Sequence, residues 1–577
     1  MIRKLIVYLR EFRRDAVIAP LLILLEAACE LITPLIMANI IDKALTAGSM
    51  SYLLQQGIYL LLLSVIGMYA GVRAAKYSAS ASLGFGRNLR RAMFSRIQTF
   101  SFADIDRFSS ASLITRLTND VTTLQNTVAM GLRTLVRAPL QLIAALIVCL
   151  NINARLSLIL MVAIPVLILS VGSLMRACRK FFTVFQQKID GLNHAVQENL
   201  VSIRVVKAFV RETHEEEKFR VANDELLDAG LNAVMRIIMM APIMMLMLNA
   251  CIILVFWFGG KQVAAGTMLT GELYSFYSYI AQVLISVLMV AICLLQLTRA
   301  GACARRILEV LETEPDIRDP EEAAALPESC GRVEFRGVSF KYGQGSGDDV
   351  LRDISFTVEP GEFVAIMGGT GTGKSSLVNL IPRFYDVTDG AVLVDGLDVR
   401  SYPVEALRQR IGMVLQKNVL FSGTIRENLL WGNADATEEE MIACAMDAQA
   451  HEFIMAYPDG YDTFLEQGGV NVSGGQKQRL CIARAMLRHP AVLILDDATS
   501  AVDTATEAQI RRSFSERLQG TTVIMIAQRI SSVRNADRII ILDDDHIAGM
   551  GTHEELLKTC SIYREIVEGQ EGVIENG

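Results

Sequence analysis

Six long apolar segments fill the first half of the chain, with cores near residues 16–41, 58–72, 137–150, 156–174, 237–259 and 273–297. Crossing ~30 Å of hydrocarbon takes ~20 apolar residues in a helix; most of these cores approach that length and the shorter ones have extendable flanks. Six membrane-spanning helices are therefore expected. Composition supports a division of labour. A chain of 577 residues is too long for one ordinary domain, and 52% hydrophobic residues with a mean hydropathy of +0.36 is too apolar for a wholly soluble one. The net charge of -7 gives no support to a nucleic-acid role. The 10 cysteines, Cys29, Cys251 and Cys481 among them, are scattered through apolar or helical stretches without metal-ligand spacing, so they read as small buried hydrophobes.

Basic residues set the orientation. Arg3, Lys4, Arg10, Arg13 and Arg14 precede the first segment, Arg73, Lys76, Arg87, Arg90 and Arg91 follow the second, and Arg176, Arg179 and Lys180 follow the fourth. Both termini and the two long connections, 73–133 and 176–236, are thus expected in the cytoplasm. The N-terminal run MIRKLIVYLREFRR is basic and amphipathic and reads as a helix on the cytoplasmic membrane surface. The long connections are rich in helix formers and nearly free of proline. Helices should run past the bilayer, since ~20 further residues project ~30 Å. Each connection holds a place where the pattern could turn over, 102–121 and 198–219. On composition alone both read as charged surface loops.

The apolar runs stop after residue 297, and 312–329 is acidic and proline-containing with no core pattern. We read 1–311 as a transmembrane domain, 312–330 as a linker and 331–577 as a soluble domain. In that last part short strand-like runs (VEFRGVSF, GEFVAIM, AVLVDG, AVLILD, TTVIMIA, RIIILD) alternate with helical stretches. That order predicts an α/β nucleotide-binding fold with a largely parallel sheet.

The decisive short motif lies in VAIMGGTGTGKSSLVNL. Gly368, Gly369, Thr370, Gly371, Thr372, Gly373, Lys374 and Ser375 fit G-x-x-x-x-G-K-[ST] between a buried strand and a helix, with Ser376 next. Such a loop turns its N–H groups inward to cradle a polyphosphate at the helix start. Lys374 is expected at the β- and γ-phosphates and Ser375 on Mg²⁺. The run AVLILDD ends a strand in Asp496 and Asp497, and Asp496 is the expected second magnesium ligand, directly or through water.

At NVSGGQKQRL the chain resembles the ATP-binding cassette (ABC) transporters, because Ser473, Gly474, Gly475 and Gln476 look like their signature motif. With the apolar segments upstream, the resemblance to a half-transporter of the multidrug and lipid exporter type covers nearly the whole chain. It implies that the signature faces ATP held by another subunit's phosphate loop. It also implies that Tyr342 stacks on adenine, that Gln416 meets magnesium and the attacking water, and that Ser500, Ala501, Val502 and Asp503 form the D-loop. Residues 102–121 and the VVKAFVRE stretch would carry helices that dock onto the ATP-binding domains. Val472 and Val502 stand where leucine is usual.

Two departures bear on mechanism. Asp497 replaces the glutamate expected as general base, and Gln528 replaces the histidine expected at the γ-phosphate. Aspartate is one methylene short, and a misplacement of ~1 Å can cost ~10²-fold in rate. Glutamine donates a hydrogen bond but cannot become cationic. The pair resembles the slow site of an exporter built from two non-identical halves. In the membrane part, Glu26 and Glu30 share a helical face and imply either an interhelical hydrogen bond or a wet pathway, the latter compatible with cationic amphipathic compounds. The Met-rich stretch 235–248 reads as lipid-facing or core helix more readily than as a binding surface.

The expectation is a multi-pass plasma-membrane exporter subunit that uses ATP and Mg²⁺ and works with a second, non-identical half-transporter on small-molecule or lipid-like substrates, with its ATP-binding domain cytoplasmic and no nucleic-acid partner. A non-hydrolytic ATP-sensing membrane subunit is the alternative.

Overall fold

The second, fourth and sixth apolar segments lie on helices far longer than a bilayer is thick. The computed structural model describes residues 2–45, 48–320, 322, 324–343, 349–498, 502–517 and 520–574. Its span helices are Arg13–Asn39, Met50–Ile97, Val121–Ile152, Ala154–Val201, Met240–Ala264 and Thr270–Glu312. The second and fourth have 48 residues each, about 72 Å at ~1.5 Å per residue, more than twice the ~30 Å of hydrocarbon. Among the described residues five stretches are long and apolar enough to cross a membrane, Ile6–Ala44, Met50–Ile97, Ser110–Ile152, Met245–Ala264 and Thr270–Glu312. The fourth span helix carries a shorter apolar stretch, Ala154–Ser170.

The chain divides into two units. One comprises Met1–Gln98 and Ala111–Thr313, the other Thr99–Ser110 and Glu314–Gly577. In the first, the second span helix buries Ala70, Ala74, Ser78 and Ser82, one small residue every four. This spacing puts them on one face and lets neighbouring helix backbones approach closely, as association in lipid requires. A second core joins the third to sixth span helices around Cys149, Leu160, Val255, Phe276, Tyr279 and Ile280. The N-terminal run is helical from Ile2, with a tighter 3-10 turn over Ile6–Phe12. It is clamped to the second span helix: Phe12 fills the space left by the absent side chain of Gly84, Arg87 pairs with Glu11 at 2.6 Å, and the Asn88 amide donates to the Tyr8 carbonyl at 3.1 Å. The second cytoplasmic-type connection carries the short helix Ile203–Ala208, where the turnover was expected.

The second unit contains two main sheets. A four-stranded antiparallel sheet has the order β2-β1-β4-β5, from β1 (Val333–Phe340), β2 (Leu351–Val358), β4 (Asp389–Val394) and β5 (Leu397–Asp398). A six-stranded sheet has the order β12-β11-β3-β10-β9-β6, from β3 (Phe363–Gly368), β6 (Ile411–Val414), β9 (Val492–Asp496), β10 (Thr522–Ile526), β11 (Arg538–Asp543) and β12 (His546–Gly551). A small pair, β7 (Gly423–Thr424) and β8 (Phe464–Leu465), completes the set. The large sheet is parallel except for β12, as the alternation of runs predicts. The sequence reading did not separate out the antiparallel sheet: VEFRGVSF and AVLVDG pair with each other there and not with the phosphate-loop strand. The helix Phe102–Phe108 belongs to this unit, capped by a reciprocal Ser101–Asp104 hydrogen-bond box.

Candidate functional site

The carboxyl ends of the parallel strands converge, which is where ligands bind in open α/β sheets. β3 runs into the loop at Gly368, β9 ends at Asp496, Gln416 follows β6, and Gln528 follows β10. All face one cavity of about 870 Å³, whose wall includes Tyr342, the stretch Gly368 to Ser376, Gln416, Asp496, Asp497 and Gln528. Two loop positions require glycine. Gly373 has φ +80°, and a Cβ there would stand 2.8 Å from the Val350 carbonyl oxygen; Gly368 has φ +151° and 2.2 Å to the Leu542 carbonyl oxygen. No L side chain adopts these conformations cheaply.

Inside the loop, Lys374 folds back to donate to the carbonyls of Gly368, at 3.0 Å, and Gly369. Burial holds its ammonium below the usual lysine range, against the opposing pull of Asp496 and Asp497. The Ser375 hydroxyl donates to Asp496 Oδ1 at 3.0 Å. Burial pushes the Asp496 carboxyl above the usual aspartate range, with Asp497 adding to the rise and the Ser375 hydrogen bond and Lys374 opposing it. A half-buried ammonium among carbonyls and a hydroxyl–carboxylate pair lacking a full counter-charge are what a phosphate group and a divalent cation would complement. The donor set fits ATP with Mg²⁺. Tyr342 stands at the other end, its hydroxyl 2.8 Å from Ser376 Oγ and its ring edge-on to Tyr385 at 5.2 Å.

The two departures touch each other. The Gln528 amide donates to Asp497 Oδ2 at 3.1 Å. Asp497 itself takes φ +51°, and its backbone N–H donates to the Ile526 carbonyl at 3.2 Å. The Gln528 carbonyl in turn accepts from the Gln570 amide at 2.7 Å. Gln570, Glu565, Ile562 and Ile566 of the C-terminal helix Ser561–Ile574 also line the cavity. Sequence reasoning missed them. They form no short motif, and the amphipathic pattern of the last helix is the one signal that could have marked a packed face.

The signature residues lie elsewhere. Ser473 caps the helix Gly474–Met486, with its backbone N–H bonded to Gln476 Oε1 at 2.8 Å, and Val472 is buried beneath it. None of Ser473, Gly474, Gly475 or Gln476 lines the cavity of the phosphate loop. Asp503 caps the helix after it, accepting from the Thr506 N–H at 2.9 Å. Ser500 and Ala501 lie outside the described residues.

In the helical unit, Glu26 and Glu30 are tied to the third span helix. Arg137 donates to Glu26 at 3.1 Å and also to Glu30, and the Gln141 amide donates to Glu30 at 2.5 Å. The adjacent cavity is lined by Arg133, Arg137 and Gln141 and by neither carboxylate. Of the two readings offered for these acids, the interhelical hydrogen bond is the one formed among the described residues. Both share one guanidinium that the sequence pattern did not connect to them.

The ABC transporter transmembrane region family matches residues 16–287, and the ABC transporter family matches residues 351–500. An uncharacterised ABC transporter ATP-binding protein of Bacillus subtilis, YfiB, is 40% identical over 570 residues, covering 99% of this chain and 99% of its own. The chain belongs to the ABC transporter family. An ATP-dependent lipid A-core flippase of Syntrophus aciditrophicus is 36% identical to this ABC transporter over 481 residues, covering 83% of this chain and 79% of its own. Among solved structures, a bacterial Atm1-family ABC exporter with ATP bound superimposes with a TM-score of 0.81 at 25% identity, covering 97% of this chain and 98% of that one. The ABC transporter thus has the architecture of an exporter half-transporter, one helical transmembrane domain followed by one ATP-binding domain, coupling ATP hydrolysis to transport.

Proposed function

We propose that this half-transporter exports amphipathic or hydrophobic compounds across the plasma membrane, with its ATP-binding domain cytoplasmic, and that it pairs with a non-identical half-transporter whose own site does most of the hydrolysis. The observation that carries the second half of this reading is the Gln528–Asp497 hydrogen bond of 3.1 Å. A carboxylate that accepts from a neutral amide is a weaker base, and an N–H donated to it is not available to a γ-phosphate. Both altered positions are thus engaged with one another. Lipid-like substrates gain support from the relative named as a lipid A-core flippase.

Within this reading Lys374 would hold the β- and γ-phosphates, the loop N–H groups would orient them, Tyr342 would stack on adenine, and Ser375, Asp496 and Gln416 would hold Mg²⁺. The ion would supply charge neutralisation on the phosphates. Asp497 takes the proton of the attacking water slowly, because it stands ~1 Å short and is held by Gln528. Ser473 to Gln476 and the D-loop, including Asp503, serve ATP on the partner, and closure of the ATP-bound pair drives alternating access.

The test is the double variant Asp497→Glu with Gln528→His in a complex whose other site has been disabled. Hydrolysis is expected to rise at least tenfold. No rise would reject the slow-site assignment. A non-hydrolytic sensing subunit remains the second reading, favoured if no transported compound stimulates ATPase in the assembled complex.

A further inference from the structure

A cavity of about 470 Å³ lies among the first, third and sixth span helices, with Ile23, Arg133, Arg137, Gln141, Ile285 and Met289 in its wall. That volume is in the range of pockets that enclose small ligands, ~300–1,000 Å³. Its two charged groups behave differently. Arg137 is committed to Glu26 and Glu30, whereas Arg133 is exposed and, among the described residues, has no ion pair or hydrogen bond. Measured along the third span helix from its end at Ile152, Arg137 stands ~22 Å and Arg133 ~28 Å away. With ~30 Å of hydrocarbon, Arg137 is well inside and Arg133 is near the opposite boundary, where a lipid headgroup lies.

The triad of Glu26, Glu30 and Arg137 carries one excess negative charge, so net charge alone does not decide what enters. Position does. Neither carboxylate lines the cavity, and Glu26 Oε1 and both oxygens of Glu30 are engaged by Arg137 and Gln141. An added Cβ at Gly71 would stand 3.1 Å from the Glu26 carboxylate, so that acid is also hemmed in by the second span helix. What the cavity presents is a guanidinium fork at the headgroup level with apolar side chains of the first and sixth span helices beside it. A guanidinium matches the two oxygens of a phosphate or carboxylate, and it is less strongly hydrated than an ammonium.

We propose that this cavity takes an anionic amphiphile, its phosphate or carboxylate headgroup on Arg133 and the first part of its acyl chain against Ile23, Ile285 and Met289. The assignment rests on the export of amphipathic compounds proposed above and specifies the charge of the substrate. The transporter, purified with whatever partner it assembles with and placed in phosphatidylcholine nanodiscs, is titrated with three fluorescent lipids sharing one acyl chain: lysophosphatidic acid, lysophosphatidylcholine and a cationic alkylamine. Lysophosphatidic acid is expected to bind roughly tenfold more tightly than the zwitterion, the size of effect one charge-assisted contact gives. Arg133→Gln should abolish that preference while still binding the zwitterion, which shows that the variant is folded, and Arg133→Lys should keep part of it. Equal binding of the three lipids, a cationic preference, or an unchanged preference in Arg133→Gln overturns the proposal. Inorganic phosphate competing as well as lysophosphatidic acid overturns it too, because the headgroup alone would then suffice. ATPase stimulation by amphiphiles regardless of charge removes this inference and leaves the export reading. No stimulation by any of them, with the binding preference intact, removes the export reading and leaves the cavity assignment.

Discussion

At the scale of single residues, the phosphate loop and the Arg137 cluster are the least forgiving places. Gly373→Ala forces a left-handed conformation that costs ~1–2 kcal/mol and drives a methyl toward the Val350 carbonyl oxygen, 2.8 Å away. Affinity for a fluorescent ATP analogue should fall about tenfold or more; unchanged affinity would mean that the loop shifts freely. Arg137→Met leaves two intramembrane carboxylates facing each other without a cation. Breaking a fully buried pair this way costs ~3–5 kcal/mol, and less is expected here because Arg137 and both acids are only partly buried, whereas removing all the charges together is often neutral. The single variant should therefore lower the unfolding temperature sharply in detergent, and adding Glu26→Gln and Glu30→Gln should recover most of the loss. If the triple variant is no better than the single one, the cluster is held by packing and not by charge. The sequence showed both acids at helical spacing but gave no sign of their counter-charge, because Arg137 is more than a hundred positions away and pairs with them only through helix packing.

At the scale of elements, the helix Phe102–Phe108 is seated on the ATP-binding unit by specific groups. Phe102 lies 4.4 Å from the Phe384 ring, and the Tyr385 hydroxyl donates to Asp106 at 2.9 Å. Burial, with the Asp106 carboxylate adding to it, pushes the Tyr385 phenol well above its usual range, so it stays a donor at any physiological pH. Tyr385 also meets Tyr342 edge-on. Tyr385→Phe keeps the rings and deletes the hydrogen bond, worth ~0.5–1.5 kcal/mol. Amide exchange over residues 99–110 should quicken roughly two- to tenfold, and adding Asp106→Ala should quicken it little more. Additive effects of the two changes would show that the bond is not what holds the helix. The place of this short helix was legible as a break in the helical pattern, but its contacts were not. Phe384 and Tyr385 follow the phosphate-loop helix and belong to no motif that names a distant partner. The strands behind the phosphate loop were legible for the opposite reason: their apolar runs are local, fully buried and punctuated by the residues that do chemistry. VEFRGVSF and AVLVDG read equally well as parallel strands, since periodicity carries no information about which edge a strand joins.

At the scale of the whole molecule, two motifs of one chain serve two different nucleotides in the arrangement proposed above. Lys374 belongs to the cavity that also contains Asp497 and Gln528, whereas Ser473 and Gly475 line no part of it. If the partner's site is the faster one, damage to this chain's signature strips hydrogen-bond donors from the γ-phosphate at the working site, where losing one such donor costs ~3 kcal/mol or ~10²-fold in rate. Damage to this chain's own phosphate loop mainly weakens ATP retention at the slow site and the closure it supports. In the assembled complex with the partner unchanged, Gly475→Asp should therefore remove nearly all steady-state ATPase, because it sets a carboxylate against phosphate, and Lys374→Ala should leave a measurable fraction. Trapping of labelled nucleotide separates the two further. Gly475→Asp should still retain ATP at this chain's loop, and Lys374→Ala should not. A larger loss of turnover from Lys374→Ala than from Gly475→Asp would place the engine on this chain and require that Asp497, despite its short reach and its bond to Gln528, is an adequate base.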